Sequence, residues 1–333
     1  MISSNLPLID LHRHLDGSVR LQTILDLAKQ HDLPLPAKSI EQLRPLVQVT
    51  EPQPGVMAFI AKFEWLVGVL VDYQACQRIA YENVLDAKAE GIHYIELRFS
   101  PLFMSQPHQL DPAALTEAVL DGLEKGAEET GVQVNAIGIL SRHFGPKLAM
   151  QELNALIGQH DRFVALDLAG DEANFPGELF VEHFKIARDS GWQVTVHAGE
   201  AAGPESIWQA VEELGAQRIG HATRLMEDPL LVENIYQNHI GIETNLTSNV
   251  QTSTVPSYAE HPLKAMLDAD LLATINTDDP GISNINLEYE YTQAAPAAGL
   301  SSAQIELAQA NALEIAFLSV EEKEALQKSL SIA

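Results

Sequence analysis

Short runs of β-branched and aliphatic residues alternate along this chain with longer segments of helical periodicity. Such alternation is typical of parallel βα units, in which a helix follows each strand and packs on the sheet. The candidate strands span residues 6–11, 93–99, 134–140, 163–168, 193–196, 218–220, 240–244 and 271–276. Helical stretches such as 112–130 and 204–214 lie between them. Eight strands with intervening helices predict an α/β fold, the closed (β/α)8 barrel of the TIM type.

An open, doubly wound sheet is the alternative, but its phosphate-binding signatures are missing. Neither G-x-G-x-x-G after the first strand nor G-x-x-x-x-G-K-[ST] occurs. We therefore expect one barrel domain over 1–333. The connection after the first strand is unusually long, because 82 residues separate His14 from Glu96, against about 30 for an average barrel repeat.

This surplus predicts extra helices, an insertion over roughly 40–80. Within it, residues 56–71 are apolar at helical spacing and include Phe59, Ile60 and Phe63. We expect this segment to pack onto the barrel and to form a lid over its mouth.

Charge and cysteine content exclude several classes of protein. The chain has 20 basic and 46 acidic residues, a net charge of −26, so it repels nucleic-acid backbones and anionic membrane surfaces. Its single cysteine, Cys76, rules out an intrachain disulfide and a thiolate metal cluster. The first residues lack a secretory signal pattern, and no apolar run is long enough to span a bilayer. These features predict a cytoplasmic protein, a monomer or small homo-oligomer.

Polar residues cluster where the predicted strands end. In a barrel these ends converge on one face, where active sites lie. The segments are His12-Arg13-His14-Leu15-Asp16-Gly17, Ala169-Gly170-Asp171-Glu172, His197-Ala198-Gly199-Glu200, His221, and Asp278-Asp279-Pro280.

Four of these residues form a candidate metal site. His12 and His14 point to the same side of the first strand, because strand side chains alternate. With His197 and Asp278 they offer three imidazoles and a carboxylate, donors that suit Zn²⁺. Strand four has no lysine to bridge two metals, so we expect one ion, with room for a water that it acidifies.

The neighbouring polar residues each have two interpretations. Glu200 is either a proton donor beside the metal or a first-turn helix acid. His221 is a further ligand, a base or a core histidine, and Asp279 is a hydrogen-bond acceptor or a turn residue before proline. Gly170 either brings its backbone N–H close to a ligand or marks a simple turn.

Together, these motifs resemble the adenosine deaminase family, in its bacterial type. The resemblance runs from about residue 6 to about residue 325 and is carried by five ordered motifs, H-R-H-L-D-G at 12–17, L-D-L-A-G-D-E at 166–172, V-H-A-G-E at 196–200, I-G-H at 219–221 and N-T-D-D-P at 276–280. It implies zinc-dependent hydrolytic deamination of adenosine, and of 2′-deoxyadenosine, to inosine and ammonia in purine salvage.

The resemblance also implies a role for each site residue. It places zinc on His12, His14, His197 and Asp278, with His14 also next to the substrate. It implies that Glu200 protonates the purine N1 as water adds at C6, and that His221 orients or deprotonates that water. It implies that Asp279 hydrogen-bonds N7 and the hydroxyl formed at C6, that the Gly170 N–H donates to N3, and that Asp16 holds the ribose 5′-hydroxyl. It also implies that Phe59, Ile60 and Phe63 form an apolar lid.

Two positions depart from the family pattern. Ala222 follows the strand-six histidine where glycine is usual, and Thr244-Asn245 replaces a small residue and cysteine. The alternatives are a deaminase of free adenine or of a modified adenosine, a binding protein that has lost catalysis, and an amide or lactam hydrolase. Asp16 favours a nucleoside, the intact ligand set argues against lost catalysis, and the single-metal ligand set argues against the hydrolase.

Overall fold

The computed structural model describes residues 2–330, and within them eight parallel strands pair in chain order. The strands are β1 (Ile9–His14), β2 (Tyr94–Phe99), β3 (Gln133–Ser141), β4 (Phe163–Ala169), β5 (Gln193–Ala198), β6 (Arg218–His221), β7 (Gly241–Thr244) and β8 (Ala273–Ile275).

The sheet closes between its first and last strands. Arg13 in β1 pairs in parallel with Asp278, just after β8. The His14 N–H donates to the Asp278 carbonyl, and the Asp278 N–H donates to the His12 carbonyl, each at 2.8 Å. The predicted (β/α)8 barrel is therefore confirmed, and the open sheet is excluded.

Helices surround the barrel. The first half of the chain contributes α1 (Leu21–Gln30), α2 (Ile40–Val47), α3 (Val56–Ile60), α4 (Glu64–Val67), α5 (Tyr73–Ala89), α6 (Pro101–Ser105), α7 (Pro112–Thr130) and α8 (Gly145–Ile157). The second half contributes α9 (Val181–Asp189), α10 (Pro204–Gln209), α11 (Pro229–Gln237), α12 (Leu246–Gln251), α13 (Leu263–Asp268), α14 (Pro280–Ser283), α15 (Leu287–Tyr289), α16 (Ala295–Ala297), α17 (Ser302–Ile315) and α18 (Val320–Ser329). Among residues 2–330, no helix has both the length and the apolar character to cross a membrane.

Several strands extend further than their apolar runs. β1 runs to His14, three residues past the predicted end at residue 11, and β5 and β6 include His197 and His221. Polar residues usually end a strand, but here His197 and His221 are buried and remain paired between β5 and β6. His12 is also buried and lies in β1, at a register shift between Asp10 and Arg13. The predicted ends of β1, β5 and β6 were therefore wrong, because each strand continues through buried histidines.

The connection from β1 to β2 contains α1 to α5. The predicted helix over 56–71 is broken into α3, a 3₁₀ turn at Ala61–Phe63 and α4. Backbone hydrogen bonds from Val49 to the Ile282 carbonyl (2.9 Å) and from Gln53 to the Gln251 carbonyl (2.6 Å) tie it to the loops after β8 and β7. The insertion therefore lies against the same end of the barrel as the strand-end residues.

Two glycines of α7 allow α5 to approach closely. A Cβ atom on Gly122 would lie 2.4 Å from the Gln77 carbonyl oxygen, and one on Gly126 would lie 2.7 Å from Cβ of Val84. Since a backbone oxygen cannot rotate away, any side chain at Gly122 forces the helices apart.

We predict that Gly122→Ala lowers the melting temperature. The clash costs about 1–3 kcal/mol, which outweighs the roughly 1 kcal/mol that alanine gains over glycine within a helix. Gly158→Ala, just after α8, is the control, because its Cβ would lie 3.6 Å from the nearest atom, and it should leave the melting temperature unchanged or raised. Equal stability of Gly122→Ala and wild type in thermal unfolding would contradict this account.

Candidate metal centre and active site

The four predicted metal ligands meet at the carboxyl end of the barrel. The His197 Nε2 atom lies 3.1 Å from Nε2 of His12 and 3.2 Å from Nε2 of His14. The Asp278 Oδ1 atom lies 3.2 and 3.3 Å from the same two nitrogens. His221 also approaches, with Nε2 at 3.8 Å from Asp278 Oδ2, and the ligand atoms of His12, His197, His221 and Asp278 all lie within 4.8 Å of one another.

The donor set fits a divalent cation. The His12 Nδ1 atom lies 2.7 Å from Glu243 Oε2, and the His197 Nδ1 atom lies 3.0 Å from Asp167 Oδ1. Both carboxylates accept the ring proton on Nδ1, so the two Nε2 lone pairs face each other at 3.1 Å. A cation between them removes this repulsion, and imidazoles with one carboxylate are ligands that Zn²⁺ accepts.

The protonation states agree with this arrangement. Burial lowers the pKa of His14 and His197, which keeps both rings in the neutral form that binds metals. At His12 the same burial is outweighed by Asp278 and Glu243, which raise the pKa of that ring. A proton on His12 and a bound cation are thus alternative ways to balance the negative charge of these carboxylates.

A buried guanidinium connects the two carboxylates that orient the ligands. Arg98 donates from Nη1 to Asp167 Oδ2 at 2.9 Å and from Nη2 to Glu243 Oε2 at 2.7 Å. Arg218 pairs with Glu243 at 2.7 Å and with Glu96. The sequence reasoning missed this network. Its signal was the presence of charged residues in the middle of otherwise apolar strands.

The candidate acid–base groups lie on the open side of the cluster. Burial raises the pKa of Glu200 well above its usual range, and Asp278 and Glu172 reinforce the shift. Burial likewise raises the pKa of Asp279, with Asp278 and Asp16 adding to the effect. Both carboxyl groups are therefore held as neutral acids, which can donate a proton.

The ring of His221 is oriented by two amides. Asn249 and Asn245 place their Nδ2 atoms 2.9 and 3.3 Å from the His221 Nδ1 atom. Because an amide N–H donates to Nδ1, the ring proton of His221 resides on Nε2. Burial lowers the pKa of this ring well below its usual range, so it is neutral. Asn245, one of the departures from the family pattern, thus contributes directly to the orientation of His221.

The backbone is strained at the same strand ends. His221, Ala222 and Asp278 have φ values of 63°, 52° and 60°, in the left-handed region that favours glycine. Such strain persists only where surrounding contacts impose it, and it clusters at functional sites. At Ala222 the departure from glycine therefore places a β-carbon on a backbone conformation that disfavours it.

The candidate site residues other than the fully buried His12 line one cavity. Its polar lining comes from strand ends and includes His14, Asp16, Gly170, His197, Glu200, His221, Asp278 and Asp279. Its apolar lining comes from Val56, Phe59, Ile60, Phe63 and Phe103. The sequence reasoning missed Phe103 and His143, which follow β2 and β3 and carried no motif.

Three observations indicate a ligand within this cavity. Asp16 Oδ1 and Asp279 Oδ1 are buried and have no hydrogen-bond partner among residues 2–330. Burial also raises the pKa of Asp16 to about 7. Gly170, in the cavity lining, has φ of +105°, and a Cβ there would lie 2.7 Å from Nδ1 of His143, so the backbone at this point requires glycine.

We predict that Asp167→Asn weakens metal binding by about 10–100-fold, because the His197 ring loses the charged acceptor that orients it. The measurement is retained metal after titration with a competing chelator. Glu152→Gln is the control, since Glu152 is also buried but accepts from Leu102 and Ser141 N–H groups at 3.2 and 2.8 Å. Unchanged metal affinity in Asp167→Asn would refute the orienting role.

Comparison with known proteins identifies relatives over almost the whole chain. The adenosine deaminase family model matches residues 7–332. Adenosine deaminase of Salmonella paratyphi C (strain RKS4594) is 55% identical over 333 residues, covering 100% of both chains. That of Escherichia coli O1:K1 / APEC is 54% identical over 331 residues, covering 99% of each.

Solved structures show the same fold. Adenine deaminase from Arthrobacter aurescens superposes with a TM-score of 0.90 at 24% identity, covering 98% of both chains. N6-methyl-AMP deaminase from Arabidopsis thaliana superposes with a TM-score of 0.84 at 25% identity, covering 99% of this chain and 97% of that one. With its fold, its strand-end motifs and more than half of its residues shared with full-length relatives, this chain belongs to the adenosine deaminase family.

Proposed function

We propose that this chain catalyses the hydrolytic deamination of adenosine, and of 2′-deoxyadenosine, to inosine and ammonia, with one zinc ion per chain, in purine salvage. The observation that carries the proposal is that a metal-ligand cluster and the buried Glu200 carboxyl group, whose pKa burial raises, meet at one cavity. Relatives with adenosine deaminase activity in their names match this chain at 54–55% identity over its length.

The ion would be held by His12, His14, His197 and Asp278. When bound, it supplies the Lewis acidity that makes water a nucleophile near neutral pH. Glu243 and Asp167 hold the rings of His12 and His197 by their Nδ1 protons, so the ligand nitrogens need no rearrangement to bind.

Glu200 supplies the proton that the purine needs. Its buried carboxyl group keeps this proton at neutral pH, and transfer to N1 draws electron density from C6, where water adds. His221 directs its protonated Nε2 toward Asp278, at 3.8 Å from Oδ2, and would orient that water by donating a hydrogen bond to it. Asp279, also held as an acid, hydrogen-bonds the resulting hydroxyl and N7.

The rest of the cavity would select the nucleoside. Gly170 donates its N–H to N3, and the unpartnered Asp16 Oδ1 receives the ribose 5′-hydroxyl. The lining formed by described residues includes neither lysine nor arginine, which disfavours a substrate with a 5′-phosphate.

The insertion at 40–80 acts as a lid within a single domain of 1–333. Phe59 and Phe63 are buried, with ring centroids 6.4 Å apart, and Phe63 packs on Phe103 at 5.6 Å. Together with Ile60 they line the cavity and would exclude bulk water from the reacting base.

The proposal places the enzyme in the cytoplasm as a monomer or small homo-oligomer. The support is the free, buried Cys76, which suits a reducing compartment.

The test mixes purified protein with adenosine and follows the ultraviolet change to inosine, before and after chelator treatment. We expect activity to disappear when the chelator removes the metal and to return with zinc, because an ion held by the ligand cluster would activate the attacking water. Free adenine and 2′-deoxyadenosine are assayed in parallel. Turnover of adenine and not of adenosine, in metal-containing protein, would replace adenosine with the free base.

We predict that Glu200→Gln lowers kcat by about 10²–10⁴-fold, because glutamine cannot release a proton to N1. Burial raises the pKa of Glu200, so the active, protonated form persists at neutral pH. Wild-type activity should then fall as alkaline pH ionises Glu200. The residual activity of Glu200→Gln should lack this alkaline limb.

The matched control for this variant is Glu205→Gln, in the first turn of α10, where the exposed Glu205 accepts a hydrogen bond from the Gly203 N–H at 3.1 Å. Steady-state kinetics and bound-metal content are measured for both variants. Wild-type kcat in Glu200→Gln, or loss of its metal, would contradict the role as proton donor.

A further inference from the structure

Glu172, just after β4, holds the backbone that carries Glu200. Its carboxylate is only 4% exposed and accepts hydrogen bonds from four consecutive backbone N–H groups after β5. These are from Gly199 to Oε1 at 2.6 Å, and from Glu200, Ala201 and Ala202 to Oε2 at 3.0, 2.6 and 3.1 Å.

The backbone conformation of residues 199–202 forms a concave site that binds the Glu172 carboxylate. Gly199 has φ of +68°, which turns successive N–H groups toward one point. A Cβ on Gly199 would lie 2.5 Å from Cδ1 of Ile207, so the turn depends on glycine. On its other side the Gly199 carbonyl accepts from the Thr223 hydroxyl at 2.7 Å and the Arg224 N–H at 3.0 Å. The loop is therefore fixed from both directions.

The backbone of Glu172 also contacts Gly170, the residue after β4 that would touch the base. Its N–H donates to the Gly170 carbonyl at 2.8 Å. One residue thus connects Gly170, which would donate to N3, with Glu200, which would protonate N1. These contacts connect two lining residues of the cavity, Gly170 and Glu200, through the segment 170–172 and the Glu172 carboxylate.

We propose that Glu172 is a positioning residue for the reaction. By binding the N–H groups of 199–202 it sets the distance between the Glu200 carboxyl group and the purine held at Gly170. The inference rests on the proposed function, because only an enzyme that uses Glu200 as its acid gains from this distance. A misplacement of about 1 Å in such a group can lower the rate by about 10²-fold.

The test compares Glu172→Gln with Asp171→Asn. Glutamine keeps the shape of Glu172 but leaves N–H donors facing an amide NH₂ group. Asp171→Asn removes a carboxylate at the adjacent position, where the side-chain hydrogen bonds within the described chain all come from Asn174. We expect Glu172→Gln to lower kcat by about 10–100-fold with a smaller change in KM, and Asp171→Asn to retain wild-type kinetics.

A double-mutant cycle with Glu200→Gln separates positioning from general destabilisation. If Glu172 acts through Glu200, then Glu172→Gln costs little further activity once the acid is gone, about threefold or less. An equal fold loss in both backgrounds, or wild-type kcat in Glu172→Gln, would overturn the proposal. Metal content measured in each variant excludes an effect through the ligands.

Hydrogen exchange provides a readout that needs no substrate. Amides in 199–202 should exchange faster in Glu172→Gln and remain protected in Asp171→Asn. Glu172→Asp, which keeps the charge on a shorter side chain, should show a smaller increase in exchange and a higher kcat than Glu172→Gln. Unchanged protection in Glu172→Gln would overturn the positioning role even if adenosine proves not to be the substrate, whereas inactivity of the wild type on adenosine would refute only the proposed function.

Discussion

The site depends on one buried interaction, the Arg98 guanidinium between Asp167 and Glu243. All three side chains are fully buried, and the two carboxylates each hold the Nδ1 proton of a ligand imidazole. Removing one member of such a network leaves an uncompensated buried charge, at a cost of about 3–5 kcal/mol. The orientation of the His12 and His197 rings is therefore set by this buried salt-bridge network.

Barrel closure and site strain have a common origin. The backbone hydrogen bonds that close β8 on β1 are made by Asp278, His12 and His14, which are also candidate metal ligands. Asp278 adopts φ of 60° at this junction, so the seam of the barrel aims its carboxylate at the imidazoles. A strained conformation of this kind costs about 1–3 kcal/mol and survives because the closed ladder leaves the chain no alternative.

The sequence was sufficient for the fold and for the residues at the strand ends, because both follow from periodicities of two and 3.6. It misplaced the ends of β1, β5 and β6, since burial of His12, His197 and His221 is a tertiary effect. The residues that orient the ligands were missed for the same reason. Glu96, Arg98 and Glu243 are unremarkable charges until strands from distant parts of the chain bring them together in the barrel interior.

The buried carboxyl groups of this site differ in the direction of their pKa shifts, and the difference depends on the positively charged groups beside them. Burial alone would raise the pKa of Asp167 and Glu243, but neighbouring groups together outweigh it, His197 and Arg98 at Asp167, and Arg98 and Arg218 at Glu243. The pKa of each carboxyl group therefore falls, and both accept protons from imidazoles. Glu200 and Asp279 are equally buried and lack such a pairing, so the pKa of each rises and they retain protons to donate. A single residue class thus supplies acceptors below the ligand cluster and donors above it.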